Sequence, residues 1–129
     1  VGSEMCIRDS VGNVHEGPHA LNGRNTTLMR PGMIVTDEPG VYETDLVGIR
    51  IENELVCVHK ADNQYGTFLG FEPIMFVPIA TSPIVPGVLT KDELDWLNNY
   101  HRQVFEKLAP RLNDEEREWL AKKCAAIGC

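Results

Sequence analysis

No stretch of this 129-residue chain approaches the roughly 20 consecutive apolar residues that a membrane-spanning helix needs. The first residues also lack the basic-then-apolar order of a secretory signal. A cytoplasmic protein with no membrane partner is therefore expected. Basic residues are scarce: twelve Lys and Arg stand against nineteen Asp and Glu, a formal net charge of −7. That balance argues against nucleic acid as a partner, because phosphate binding needs a basic surface. The four cysteines, Cys6, Cys57, Cys124 and Cys129, have none of the C-x-x-C spacing of a zinc site or redox motif and read as free thiols. Internal repeats and low-complexity tracts are also missing, which removes repeat arrays from consideration. What is there is 43% hydrophobic and 24% charged, the composition of an ordinary globular chain and not of a disordered one. The length suffices for one core.

Residues 1–10 show no periodicity and precede a segment dense in Gly, His and Pro. Met5-Cys6-Ile7-Arg8-Asp9-Ser10 resembles a translation of ATG-TGT-ATA-AGA-GAC-AG, a transposon end used in building sequencing libraries. Residues 1–10 are accordingly expected to be a non-native leader, with an authentic leader as the alternative. Residues 13–30 read as loop around one short strand. Pro31-Gly32 then turns the chain into Met33-Ile34-Val35-Thr36, a β-branched run that predicts a strand ending near Glu38. A second strand is predicted over 48–58, where Ile49, Ile51 and Leu55 alternate with Arg50, Glu52 and Glu54. Residues 41–47 are few enough to join the two strands as antiparallel neighbours.

A polar break at 60–66 precedes the extended, apolar segment 68–78, which Pro73 and Pro78 limit to an edge or a short pairing. The Pro-rich stretch 81–87 leads into Thr90-Lys91-Asp92-Glu93, a capping box that starts a helix. Leu94, Leu97, Val104, Phe105 and Leu108 continue it at helical spacing. A second helix is predicted from Asn113, with Glu116 as its capping partner, burying Trp119, Leu120 and Ile127 before Gly128. The expected fold class is α+β: antiparallel strands over 11–80, then a helical hairpin over 81–129.

Alternation sends Arg50 and Glu52 to one side of their strand. A solvent-facing charged face is the plain explanation. The other strand argues for more, since Thr36-Asp37-Glu38-Pro39-Gly40 holds a carboxylate at a strand end before a rigid turn. Two carboxylates about 4 Å apart repel by roughly 4 kcal/mol at an effective dielectric near 20, which a divalent cation or a shared proton must offset. Carboxylate ligation favours Mn²⁺, with Co²⁺ or Zn²⁺ as alternatives. His15, at a strand end running into Gly17-Pro18, is either structural or a proton donor to substrate, for which an ordinary pKa near 6.5 is suited. Arg50 either steadies a ligand or makes a surface ion pair worth at most about 1 kcal/mol. His19, His59 and His101 have no motif around them.

Three stretches in order, Asn13-Val14-His15-Glu16-Gly17-Pro18, Pro31 through Gly40, and Gly48-Ile49-Arg50-Ile51-Glu52-Asn53, resemble consecutive motifs of aminopeptidase P, the Xaa-Pro aminopeptidases of the pita-bread metallopeptidase family. Phe71-Glu72-Pro73 and Leu94 through His101 resemble the C-terminal extension of the longer, cytosolic-type branch. Similarity then covers nearly everything after Gly12. The resemblance implies that residues 11–80 are the C-terminal part of a pita-bread catalytic domain and 81–129 a helical extension. It implies that Glu38 and Glu52 are two of five ligands to two divalent metals, Glu52 bridging them, with three further ligands upstream. It implies that His15 binds substrate and supports the intermediate formed when metal-activated water attacks the scissile carbonyl, and that Arg50 steadies the ligands. The activity implied is release of the N-terminal residue from peptides with proline second, and the chain alone is expected to be inactive. A prolidase-like dipeptidase and a silent peptide- or protein-binding module are the alternatives. Val41 departs from the pattern where an aromatic is frequent, and Glu54 where the strand is usually apolar, which puts proline specificity in question. The family's pairing leaves a homodimer open through Trp96, Tyr100 and Phe105, or these three as core.

Overall fold

The computed structural model describes residues 18–19 and 24–128. The expected leader and His15 lie outside the described residues. Gly32 adopts a φ of +91°, a left-handed conformation that a Cβ would strain. Its N–H donates to the carbonyl of Cys57 at 2.9 Å. There begins the antiparallel pairing of β1 (Ile34–Asp37) with β4 (Asn53–Asn63), Ile34 opposite Val56 and Asp37 opposite Asn53. Between them, β2 (Gly40–Glu43) and β3 (Val47–Arg50) pair antiparallel, Gly40 opposite Arg50 and Glu43 opposite Val47.

Both pairs keep one register. Residues 34–56 are thus a single long hairpin, interrupted where Glu38-Pro39 faces Ile51-Glu52. Pro39 has no N–H to give to a ladder, and the bond crossing the gap runs from Ile51 N to the Pro39 carbonyl at 3.1 Å. The strand predicted over 48–58 is consequently two strands in two sheets, and Glu52 stands at the break between them. At the far end of the hairpin Asp45 takes the left-handed conformation, φ 59°, which Asp tolerates better than most residues.

β5 (Gly66–Pro73) completes a three-stranded sheet in the order β1-β4-β5. Its pairing with β4 runs out to Asn63 opposite Gly66, so the predicted break at 60–66 shrinks to Gln64-Tyr65. Residues 60–63 resemble loop in sequence because this end of the hairpin is exposed on both faces, which removes the apolar half of the alternation. Side chains tie it instead: Thr67 Oγ1 donates to Asp62 at 2.7 Å, and Lys60 Nζ meets Glu72 at 2.7 Å. Val35 and Thr36 on β1 and Cys57 on β4 are enclosed, whereas Val41, Val47, Ile49 and Ile51 on β2–β3 and just beyond are each close to half exposed.

The chain divides into two compact units, Val1–Met75 and Phe76–Cys129. The second is built on α1 (Lys91–Leu108), which starts at the expected capping box: Thr90 and Glu93 bond each other's backbone N–H. A short 3₁₀ turn, Ala109–Arg111, leads to α2 (Asp114–Lys123), whose capping box joins Asn113 and Glu116. Tyr100, Val104 and Leu120 form the core, with Phe76, Ile79, Phe105, Leu108, Leu112 and Cys124 against it. Cys57 and Cys124 are free thiols, and burial pushes the Cys124 thiol up.

Two expectations fail in α2. It ends at Lys123, and Trp119 is 56% exposed while Leu120 is 2% exposed. Ten residues give so short a helix one narrow inward stripe, which Leu120 occupies. Beyond it the backbone of Ile127 is held by the Asn98 amide, donating to its carbonyl and accepting from its N–H, both at 3.0 Å.

The predicted extended segment 68–78 also divides, because β5 stops at Pro73 and 76–80 lies along α1. There the Tyr100 hydroxyl donates to the Val77 carbonyl at 3.0 Å and accepts from its N–H at 3.3 Å, while His101 Nε2 accepts from Ile79 N at 3.1 Å. Side chains of α1 thereby take the place of a neighbouring strand. Tyr100→Phe removes two such bonds at a net 0.5–1.5 kcal/mol apiece, so its unfolding free energy in a denaturant titration should fall by about 1–3 kcal/mol. Burial holds the fully enclosed His101 below its ordinary pKa of 6.5. The unfolded chain then takes up the proton more readily, so this contribution is complete above about pH 6.5 and is lost as pH falls from there through the folded-state value. The unfolding midpoint should drop between pH 7 and pH 5, and His101→Gln should flatten that part of the profile.

Candidate metal centre

Continuing the β1–β4 register one step past Asp37 and Asn53 puts Glu38 directly opposite Glu52. Like charges in that relation destabilise a pair of strands unless something neutralises them. Arg50 does so. It faces Gly40 in the β2–β3 ladder. Its Nη2 lies 3.2 Å from Glu52 Oε2 and its Nη1 3.7 Å from Glu38 Oε2. The Glu38 side chain is 9% exposed and Glu52 22%, against 50% for Arg50. Glu52 first, then the Tyr42 hydroxyl and Glu38, hold the Arg50 pKa above its ordinary value.

Strand alternation collects further groups on this face. Thr36, two residues before Glu38 and 0% exposed, donates its hydroxyl to Glu38 Oε1 at 3.0 Å. Tyr42 is opposite Gly48, and its ring lies along the hairpin over both Gly40 and Gly48. A Cβ at Gly40 would come within 2.7 Å of the ring, and one at Gly48 within 3.1 Å. A side chain at Gly40 would displace the phenol, which lies close enough to Arg50 to help hold its guanidinium charged. Thr36 and Tyr42 were not singled out from sequence. Their signal was parity: in one hairpin register they share the side of Glu38, Arg50 and Glu52. Val41, the departure noted above, faces Ile49 on the opposite side.

Of the expected site residues, Glu38, Glu52 and Arg50 are brought together, and His15 lies outside the described residues. His19 is tied through Nε2 to the Ile34 carbonyl at 3.0 Å, and its Nδ1 is buried without a partner. His59 pairs with Asp62 at 2.8 Å on the exposed β4–β5 hairpin. Among the described residues, no group of three or more His, Cys, Asp or Glu side chains could hold a metal ion. Two carboxylates on one face, each with one oxygen toward Arg50, still fit a hard divalent cation as part of an oxygen-rich donor set.

A model described as metallopeptidase family M24 matches residues 10–59, and one described as the C-terminal region of peptidase_M24 matches residues 67–127. Aminopeptidase P2 of Arabidopsis thaliana is 46% identical over 115 residues, taking in 84% of this chain and 16% of that protein. A probable Xaa-Pro aminopeptidase P of Coprinopsis cinerea is 41% identical over 123 residues, 89% of this chain and 20% of its own length. The solved X-prolyl aminopeptidase of Caenorhabditis elegans, described as a cytosolic enzyme with a di-nuclear active site, superposes with a TM-score of 0.81 at 35% identity. That match covers 97% of this chain and 21% of the worm enzyme. The chain therefore spans about a fifth of the length of the relatives it matches. Its strands and helices are those of the worm enzyme's pita-bread fold, the α+β class expected from sequence. With most of its length matched by the two segments, the chain belongs to metallopeptidase family M24.

Proposed function

We propose that the protein carrying this chain is a dinuclear-metal aminopeptidase that releases the N-terminal residue from peptides with proline at the second position. The observation that carries this reading is the opposition of Glu38 and Glu52 in one hairpin register, with Arg50 between them. Both carboxylates would serve as metal ligands, Glu52 as the bridging one. When bound, a pair of divalent cations would activate water and polarise the scissile carbonyl. Mn²⁺ is the preferred cation for so carboxylate-rich a set, with Co²⁺ or Zn²⁺ as alternatives.

The chain's own residues would set the geometry for that chemistry. Arg50 holds the two carboxylates in one orientation and offsets part of their repulsion. His15 would contact the substrate and donate a hydrogen bond to the oxygen that gains charge as the carbonyl is attacked. Residues 11–80 would supply this part of the catalytic domain and 81–129 the helical extension. Relatives named aminopeptidase P and Xaa-Pro aminopeptidase support the peptide substrate. A cytosolic setting is supported by the worm enzyme's description and by the lack, among the described residues, of a helix long and apolar enough to cross a membrane.

The full-length protein should release the first residue of an Xaa-Pro-Xaa tripeptide faster than it splits an Xaa-Pro dipeptide. The reverse preference would favour a prolidase, and no cleavage of either a silent binding module. Glu52→Gln, which removes a ligand and not merely a neighbour of one, should lower kcat/KM by more than the 10- to 100-fold typical of an outer partner. Residues 1–129 alone should show no cleavage above background, since two carboxylates cannot hold a metal pair unaided.

A further inference from the structure

Two polar side chains are fully enclosed among the described residues: His101 in the second unit and Thr36 on β1. Thr36 occupies a place where a valine would fill the same space, suit the strand equally well and leave no hydroxyl to satisfy. Its hydroxyl is used on Glu38 Oε1, at 3.0 Å. Threonine is stiff at χ1, so the direction of that donor is fixed by the β1 backbone and not by a mobile chain. Glutamate has several rotatable bonds, and a carboxylate left to itself samples them.

The second oxygen of Glu38 has a different neighbour, Arg50 Nη1 at 3.7 Å. One oxygen accepts from a hydroxyl and the other faces a guanidinium. A carboxylate offers about four lone-pair positions, so an oxygen that accepts from a hydroxyl can also ligate a cation. Arg50 is half exposed and touches both carboxylates, whereas Thr36 is enclosed and donates to Glu38.

We propose that Thr36 is a positioning residue of the metal centre, orienting Glu38 for cation binding through its buried hydroxyl. The proposal rests on the reading of Glu38 and Glu52 as metal ligands. It assigns Thr36 no contact with substrate and no proton transfer; its effect passes through the carboxylate.

The test is a calorimetric titration of the metal-free full-length protein with Mn²⁺ alone, in wild type, Thr36→Val and Thr36→Ser, alongside thermal melts of the three metal-free proteins. Thr36→Val should weaken Mn²⁺ binding by about 10- to 100-fold while its metal-free melt stays cooperative and no lower than that of wild type. Thr36→Ser, which keeps the hydroxyl and gives up a methyl group, should bind Mn²⁺ close to the wild-type value even where its melt is lowered. Wild-type Mn²⁺ affinity in Thr36→Val would overturn the proposal, as would serine binding as weakly as valine or a metal-free valine variant that fails to fold. If wild type itself binds no Mn²⁺, the metal-centre reading falls and this one with it; if wild type binds and valine matches it, only the role of Thr36 falls.

Discussion

Two carboxylates directly opposite each other across a hairpin repel, and residues 34–56 are arranged around holding them there. The ladder stops on both sides of the pair, because Pro39 has no N–H to offer and the chain passes from one sheet to the next at Ile51-Glu52. Register nevertheless continues unchanged into β2 and β3, so the interruption costs pairing without costing alignment. Arg50 reaches back from β3 to both carboxylates, Thr36 fixes one of them from β1, and Tyr42 lies against two glycines to meet Arg50. A one-residue slip in either strand would turn this whole set to the other face.

A comparable device appears in the second unit. Residues 76–80 run extended without a partner strand, and Tyr100 and His101 on α1 supply the missing donors and acceptors. Asn98 does the same for Ile127 past the end of α2. In each case a side chain on a regular helix satisfies backbone that proline or a helix end has left unpaired. The arrangement makes Asn98, Tyr100 and His101 structural and leaves Trp96, 61% exposed and stacked on Tyr100, as an aromatic of this helix that faces outward.

The sequence showed clearly whatever a short motif encodes. Both capping boxes were legible because Thr90 with Glu93, and Asn113 with Glu116, act over three residues of local chain. Glu38, Arg50 and Glu52 were legible as a group because alternation and the flanking Pro39-Gly40 fixed their side and their end of the strand. The division of 48–58 into two strands was not, since the charged positions Arg50, Glu52 and Glu54 keep their spacing of two across the break and only pairing partners reveal it. The sequence places Trp119 beside Leu120 as an apolar residue of α2, but the single inward stripe of that helix belongs to Leu120. Thr36 and Tyr42 stayed invisible as site residues for a related reason: their importance lies in a cross-strand register that local pattern does not display.

Two glutamates joined by an arginine are what the described residues would contribute to the proposed centre, in a chain about a fifth as long as its relatives. The central claim is that this pair binds the metals through the hairpin face that carries Arg50. Anomalous diffraction at the manganese edge, from crystals of the full-length protein grown with Mn²⁺, tests it most directly. Two adjacent peaks are predicted, both in contact with Glu52 and one with Glu38, with Arg50 still against the carboxylates. Peaks elsewhere in the fold, or Glu38 and Glu52 turned to solvent with no peak between them, would contradict it.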